Sequence, residues 1–155
     1  MADLAELARA QLAANRFMVL GTVDPSGRPR VSPVWFSLVD HRDVYWLSSP
    51  DAHHSHNVAE RPQVSIVVFD SRADPHTGQA VYLEATAARV PDDELADACA
   101  TAFDGVDEAL SFTPESLADE PFVLYRARVT AAEVHVRGSD PEHGSGVDRR
   151  VPVVL

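Results

Sequence analysis

The sequence predicts a mainly β domain of the α+β class: an antiparallel barrel of six or seven strands with short flanking helices. Three observations predict it. Short runs rich in β-branched and aromatic residues recur along most of the chain. Turn signals rich in Pro, Gly and Asp separate them. The whole is 155 residues long, the length of one ordinary domain, with no internal repeat.

The elements follow in order. Leu4, Leu7, Ala8, Gln11 and Leu12 recur at helical spacing, and Asp3 with Glu6 resembles a capping box, so a short helix runs to about Asn15. Phe17 to Val23 is apolar on both faces and reads as a buried strand. Asp24-Pro25-Ser26-Gly27 is a turn, and Arg30 to Val39 returns as the second strand of a hairpin. Val44 to Ser48 is the third strand. Ser49 or Asp51 can cap a helix that Arg61-Pro62 ends. Val64 to Phe69 and Ala80 to Val90 are strands four and five, around a loop from Asp70 to Gly78. Phe122 to Val129 and Glu133 to Arg137 resume the strand pattern.

Between them lies a change in composition. From Pro91 to Pro121 there are ten acids and no base. Asp92 or Asp93 starts a helix with the stripe Leu95, Cys99, Ala102 and Phe103, and Thr113-Pro114 starts another. The reading is one domain over 1–155, with a solvated acidic helical insertion over about 91–121 and a polar tail over 138–155.

The composition excludes several functions. The net charge is −11, which argues against duplex nucleic acid. All thirteen basic residues are Arg, so a P-loop lysine and a lysine Schiff base are out. The lone Cys99 makes no internal disulfide. No Gly-x-Ser-x-Gly, His-Glu-x-x-His or Gly-x-Gly-x-x-Gly pattern is present. The N-terminus lacks the basic flank and apolar core of a signal peptide, and no apolar run is long enough to span a bilayer, so a cytoplasmic protein is expected.

Four segments carry candidate chemistry. In Arg30-Val31-Ser32-Pro33-Val34-Trp35-Phe36, alternation puts Arg30, Ser32, Val34 and Phe36 on one face and Val31, Pro33 and Trp35 on the other. Pro33 marks an edge or a bulge. The segment is either an ordinary edge strand or one whose free backbone groups meet a planar heterocycle. Ser48-Ser49-Pro50-Asp51-Ala52-His53-His54-Ser55-His56 joins a strand end to a helix start, which suits a phosphate. A solvated helix start and a metal site are the other readings there. Gln79 enters a strand with both a donor and an acceptor. Arg149-Arg150 can grip a phosphate or pair with the acidic 92–120 region.

Taken in order, these segments resemble the pyridoxamine 5′-phosphate oxidase-like, FMN-binding split β-barrel family. The likeness runs through Val19 to Asp24, Gly27 to Phe36, Val44 to Ser49, His54 to Val58, Pro62 to Asp70, Gly78 to Leu83 and Asp148 to Val153. It implies a homodimer with flavin sites at the subunit interface. Arg30, Val31, Ser32, Pro33 and Val34 would line the isoalloxazine ring. Ser48, Ser49, His54 and Ser55 would hold the phosphate, Gln79 would meet the ring, and Arg149 and Arg150 would reach the partner's site. The family usually carries Arg or Lys where this chain has His54 and His56. The implied function is an FMN-dependent oxidoreductase acting on a small molecule. The deazaflavin F420 in the same fold, and non-catalytic binding of flavin or another planar, tetrapyrrole-like ligand, are the alternatives. Tyr45, Tyr82, Tyr125 and Ser32 are unranked candidates for a proton donor.

Overall fold

A computed structural model describes residues 3–155; Met1 and Ala2, part of the N-terminal reading above, lie outside the described residues. The strands are β1 Phe17–Val23, β2 Pro29–Trp35, β3 Ser37–Val39, β4 Asp43–Ser48, β5 Gln63–Phe69, β6 Ala80–Arg89, β7 Val123–Val136 and β8 Arg149–Val153. They form one antiparallel sheet in the order β2-β1-β5-β6-β7-β4-β3, with β8 added to β7. β7 is long enough for two partners on one edge: β4 takes Val123 to Arg128, and β8 takes Ala132 to Val136.

The mainly β, antiparallel class is as expected, but three boundaries move. The second strand breaks at Phe36, whose N–H bonds the Arg16 carbonyl at 3.1 Å. Phe36 itself is buried. The residues after it leave β1 and pair with β4 instead. The two segments expected at 122–129 and 133–137 are one strand interrupted by a bulge. The register with β6 shifts between Glu84 and Ala85, which leaves Thr130 as the extra residue. Its hydroxyl donates to the Glu84 carbonyl at 3.1 Å. One extra residue flips the alternation, so Tyr125 and Ala127 before it, and Ala132 and Val134 after it, all reach the core. The end of the tail rejoins the sheet as β8.

Among the described residues four α-helices flank the sheet: α1 Leu4–Ala14, α2 His53–Glu60, α3 Leu95–Ala102 and α4 Pro114–Ala118. Asp3 caps α1 by accepting from the Ala5 N–H. Thr113 and Ser116 form a reciprocal capping box on α4. The expected caps of α2 and α3 are corrected. The N-cap of α2 is Ala52, with no side-chain bond, because the Ser49 hydroxyl accepts from the Asp51 N–H instead. The N-cap of α3 is Glu94, two residues after Asp92 and one after Asp93. Among the described residues no helix is long and apolar enough to cross a membrane.

Two cores hold the chain together. The inner one gathers Leu20, Trp46, Ile66, Val68, Val81, Leu83 and Val134, closed by Ala8 and Leu12 of α1. The second lies on the outer face of the sheet. There Ala98, Cys99 and Ala102 of α3, its C-cap Phe103 and Leu117 of α4 bury Tyr45 and Leu124. The acidic stretch is therefore not a solvated appendage. Its acids face water, while its apolar stripe covers the outer side of β4 and the first half of β7. Arg126 pairs with Glu94 at 2.8 Å and pins the cover to the barrel.

Candidate functional site

The cover over β4 and β7 leaves the rest of the outer face bare. Cross-strand registers lay out its rows. Pro33 faces Val19, Val19 faces Val67, Val67 faces Tyr82, Tyr82 faces Glu133, and Glu133 faces Pro152. The next row runs Val31, Gly21, Ser65, Glu84. Gly21 keeps this row close, since a Cβ there would stand 3.1 Å from the Ser65 carbonyl oxygen. Val31 is 72% exposed, Phe17 62% and Phe69 44%. Three large apolar side chains thus stand exposed on one continuous sheet face.

The edge of this face is β2, which among the described residues pairs only with β1. Asp24 bonds Arg28 and Phe36 bonds Arg16 at the two ends of the hairpin. Alternation between those pairs puts Arg30, Ser32 and Val34 in the hydrogen-bonded ladder positions. The backbone groups of Pro29, Val31 and Pro33 then point away from β1. Two of these residues lack an N–H, so Val31 presents its N–H and C=O between flanking proline carbonyls. Such an edge resists strand addition, yet it still presents an acceptor–donor–acceptor set to a small planar molecule.

A second cluster sits at the barrel end. Thr22, Ser55 and Asn57 are its buried polar residues. Asn57 of α2 donates to the Thr22 hydroxyl at 3.0 Å. His54 Nε2 lies 2.7 Å from Ser48 Oγ, and the Ser55 hydroxyl donates to the Ser49 carbonyl at 2.7 Å. The helix start is thus tied to the end of β4. Burial, and then the neighbouring His53, hold the His54 imidazole below its ordinary pKa range. Arg30 stands opposite Thr22 in the ladder, so the register puts it on the side of β2 that faces α2. Among the described residues no three His, Cys, Asp or Glu side chains are grouped to hold a metal ion.

The remaining expected residues divide. Gln79 directly precedes β6 and is half-buried. Val34 is buried in the core, so its side chain serves packing. Neighbours on a strand face opposite ways, so Arg149 and Arg150 do not share a face. The Arg149 guanidinium donates to the His143 carbonyl at 3.0 Å. Arg150 lies on the bare face, its guanidinium carbon 3.6 Å from the centre of the Tyr82 ring and its Nη1 4.0 Å from Glu133. The acidic insertion is bound by Arg126 and Arg89 instead. A groove of about 180 Å³ lies here, lined by Ser65, Tyr82, Glu84, Glu133 and Arg150 among others.

The structure also ranks the tyrosines. Tyr45 is buried under the insertion and Tyr125 is stacked on Trp46 in the core, with ring centroids 5.5 Å apart. Tyr82 alone of the three opens onto the bare face. His135 and Asp148 escape a sequence reading. His135 Nε2 is 3.7 Å from Asp148 Oδ2 beside Arg150. The period-2 alternation of β7 marks His135 as outward-facing, but only once the bulge at Thr130 is known.

Comparisons with known proteins agree with this architecture. A family model described as pyridoxamine 5′-phosphate oxidase matches residues 4–135. A heme binding protein from Mycobacterium smegmatis is similar at 26% identity and a TM-score of 0.71, over 98% of this chain and 59% of that one. The chain thus spans well under two thirds of that protein's length. HutZ, a heme storage protein from Vibrio cholerae, is similar at 25% identity and a TM-score of 0.70, over 92% of this chain and 100% of that one. An FAD-binding protein from Mesorhizobium loti shares the fold at 19% identity and a TM-score of 0.62, over 86% of this chain and 94% of that one. With the family model covering most of the chain and the split, half-barrel sheet in place, the protein belongs to the pyridoxamine 5′-phosphate oxidase family.

Proposed function

We propose that this chain forms a homodimer through its bare outer face, binds FMN in the cleft between protomers, and acts as a flavin-dependent oxidoreductase on a small molecule. The observation that carries the reading is the open edge of β2. A flavin's imide edge alternates carbonyl, N–H and carbonyl, and Val31 offers one N–H and one C=O to such an edge. Pro33, Val19 and Val67 supply the apolar surface beside it. The phosphate end falls to Arg30, Ser48, Ser49, His54 and Ser55, with the start of α2 contributing backbone N–H groups. FMN when bound supplies the electron transfer. The protein's part is to orient the ring, keep one face clear of water, and hold Tyr82 and Arg150 toward a substrate. The deazaflavin F420 fits the same edge and is separated from FMN by its absorption band.

One observation favours a second reading, a heme-binding protein. The phosphate cluster is internally hydrogen-bonded and has no Lys, while the bare face is apolar and carries an imidazole, His135. Two structural neighbours, at 26% and 25% identity, are a heme binding protein and a heme storage protein.

The test is light scattering for mass, followed by titration with FMN, F420 and hemin at pH 6.5. A dimer that binds FMN with Kd below ~100 µM, and turns over with a nicotinamide or reduced F420, supports the first reading. Absence of flavin binding with saturable hemin binding supports the second. A monomer binding none of the three sinks both.

A further inference from the structure

We propose that the cavity between the end of α1 and the β3–β4 turn binds a free α-amino acid with a large apolar side chain. Arg9 takes its carboxylate, Asp40 takes its ammonium, and Leu12, Phe36 and Leu38 receive its side chain. The site is separate from the cleft proposed for the flavin. The turn lies at the Asp43 end of β4 and the phosphate cluster at the Ser48 end, roughly 17 Å away along the strand.

The cavity holds about 460 Å³, a size that suits a small organic molecule. Leu12 and Phe36 are buried and Leu38 packs beside them on the inner core, so these three form its floor. Arg9, Asn15, Asp40 and His41 form its rim.

The rim carries both charges, on separate elements. Arg9 projects from α1 and pairs with Asp3 at 4.0 Å, a carboxylate that is 62% exposed. That long, water-screened pair leaves the guanidinium able to take a ligand carboxylate. Asp40 stands on the turn, and among the described residues its carboxylate has no hydrogen bond or ion pair. Arg9 and Asp40 do not pair with each other, so a molecule that carries one charge of each sign can join them.

The end of α1 favours the same polarity. Its last turn holds no basic residue, so the carbonyls at the negative end of the helix dipole lack a cation. The Asn15 side-chain amide donates to the Gln11 carbonyl at 2.8 Å, which leaves Asn15 Oδ1 as an acceptor. An ammonium between this helix end and Asp40 meets acceptors on both sides. Arg9 and Ala13 are four residues apart on one flank of α1 and line the same cavity, which keeps the cation within reach of that site.

The turn keeps side chains where glycine would be easier. The Arg42 N–H closes it on the Val39 carbonyl at 3.0 Å, and Asp40 and His41 take φ of 51° and 54°. Two successive positive values are the pattern of a type I′ turn, which Asn-Gly fills with least strain. Here both positions carry larger side chains, and both residues border the cavity.

The test is calorimetric titration of the full chain with L-phenylalanine, L-leucine and L-tryptophan. Three truncated probes accompany them: 3-phenylpropionate lacks the ammonium, phenethylamine lacks the carboxylate, and L-alanine lacks the apolar body. At least one large amino acid should bind saturably, one per protomer, and each truncated probe about tenfold or more weaker. Arg9→Gln and Asp40→Asn should each weaken binding by about tenfold or more. Asn suits the backbone of this turn, so Asp40→Asn should fold. Arg72→Gln, on the β5–β6 loop, should match the wild type. Far-UV circular dichroism confirms that each variant is folded. Wild-type affinity in both folded rim variants overturns the proposal. Equal affinity for phenylalanine and 3-phenylpropionate overturns the amino-acid assignment in favour of a plain carboxylate. No saturable binding of any of the three amino acids overturns the site itself. FMN affinity lowered by Arg9→Gln overturns its separation from the flavin cleft.

Discussion

His54 Nε2 and Ser48 Oγ lie 2.7 Å apart, so the imidazole at the start of α2 is satisfied by the protein itself before any ligand arrives. Burial, with His53 beside it, disfavours its charged form. At neutral pH the cluster therefore meets a phosphate with hydroxyls, helix N–H groups and Arg30, and with an uncharged His54. FMN affinity should rise as pH falls from 8 to 6. His54→Arg should strengthen binding at pH 7.5 by about 1 kcal/mol or more, the scale of a charge-assisted bond. Equilibrium titration at both pH values checks this. Equal affinity of the two proteins would show that the phosphate does not reach this residue.

The same group links stability to pH. A histidine whose folded pKa lies below its unfolded value of about 6.5 favours the folded state when neutral. That contribution is complete above about pH 6.5 and is lost as pH drops toward and through the depressed folded pKa. The wild type should therefore lose melting temperature between pH 7 and 5. His54→Asn, which cannot titrate, should flatten that part of the profile. An unchanged slope would mean that other groups control acid unfolding.

Asn57 and Thr22 join α2 to β1 across 35 positions of sequence, with a hydrogen bond of 3.0 Å between two buried side chains. Removing one partner strands the other without water. Asn57→Ala should cost about 1–3 kcal/mol in urea unfolding. The double variant Asn57→Ala/Thr22→Val should recover part of that loss, because no orphaned hydroxyl remains. Additive losses would contradict the coupling.

How much of this was legible in the sequence depends on whether local rules decided the outcome. The Thr113-Pro114 helix start, the Asp24 to Gly27 turn and the alternation along β2 rest on neighbours in sequence, and all appear as expected. Gly27 takes φ +85° in that turn, as its type requires. The bulge at Thr130 and the break at Phe36 rest on partners far away in the chain. Nothing within a few residues announces them, so β7 looked like two strands and β2 ran on too far. The acidic insertion misled for a different reason. Its charge was plain, but its apolar stripe found a partner in Tyr45 and Leu124, some fifty and twenty-five positions from α3. Of the site, the two clusters were legible as motifs. Their separation was not, nor was the placing of Arg149 and Arg150 on opposite sides of β8, since that required knowing the tail re-enters the sheet.

The bare face gives a prediction about assembly. Phe17 and Val31 project from adjacent strands, each more than half exposed, and neither contributes to the inner core. A charge placed there should disturb association and spare the fold. Phe17→Glu should shift the mass by light scattering from dimer to monomer, with the circular dichroism spectrum unchanged. FMN or hemin affinity should fall together with the dimer if the cleft needs both protomers. A variant that stays dimeric would place the self-association surface elsewhere.

Cys99 reports on the cover over the second core. Its thiol is buried among Ala98 and Ala102 of α3, the C-cap Phe103 and the neighbouring Leu117 and Leu124. Burial, reinforced by Glu115, pushes its pKa above the ordinary thiol value. Both effects suppress the thiolate, so native protein at pH 8 should react with a thiol reagent far more slowly than unfolded protein. Opening of the insertion alone would release the thiol before the inner core unfolds. The reaction rate against urea should therefore rise ahead of the main transition if α3 and α4 lift off as a unit. Leu124→Ala, a large-to-small change beneath the cover, should cost about 2–5 kcal/mol and bring that rise to lower urea. Coincident curves for reactivity and circular dichroism in both proteins would mean that the cover and the barrel unfold as one cooperative body.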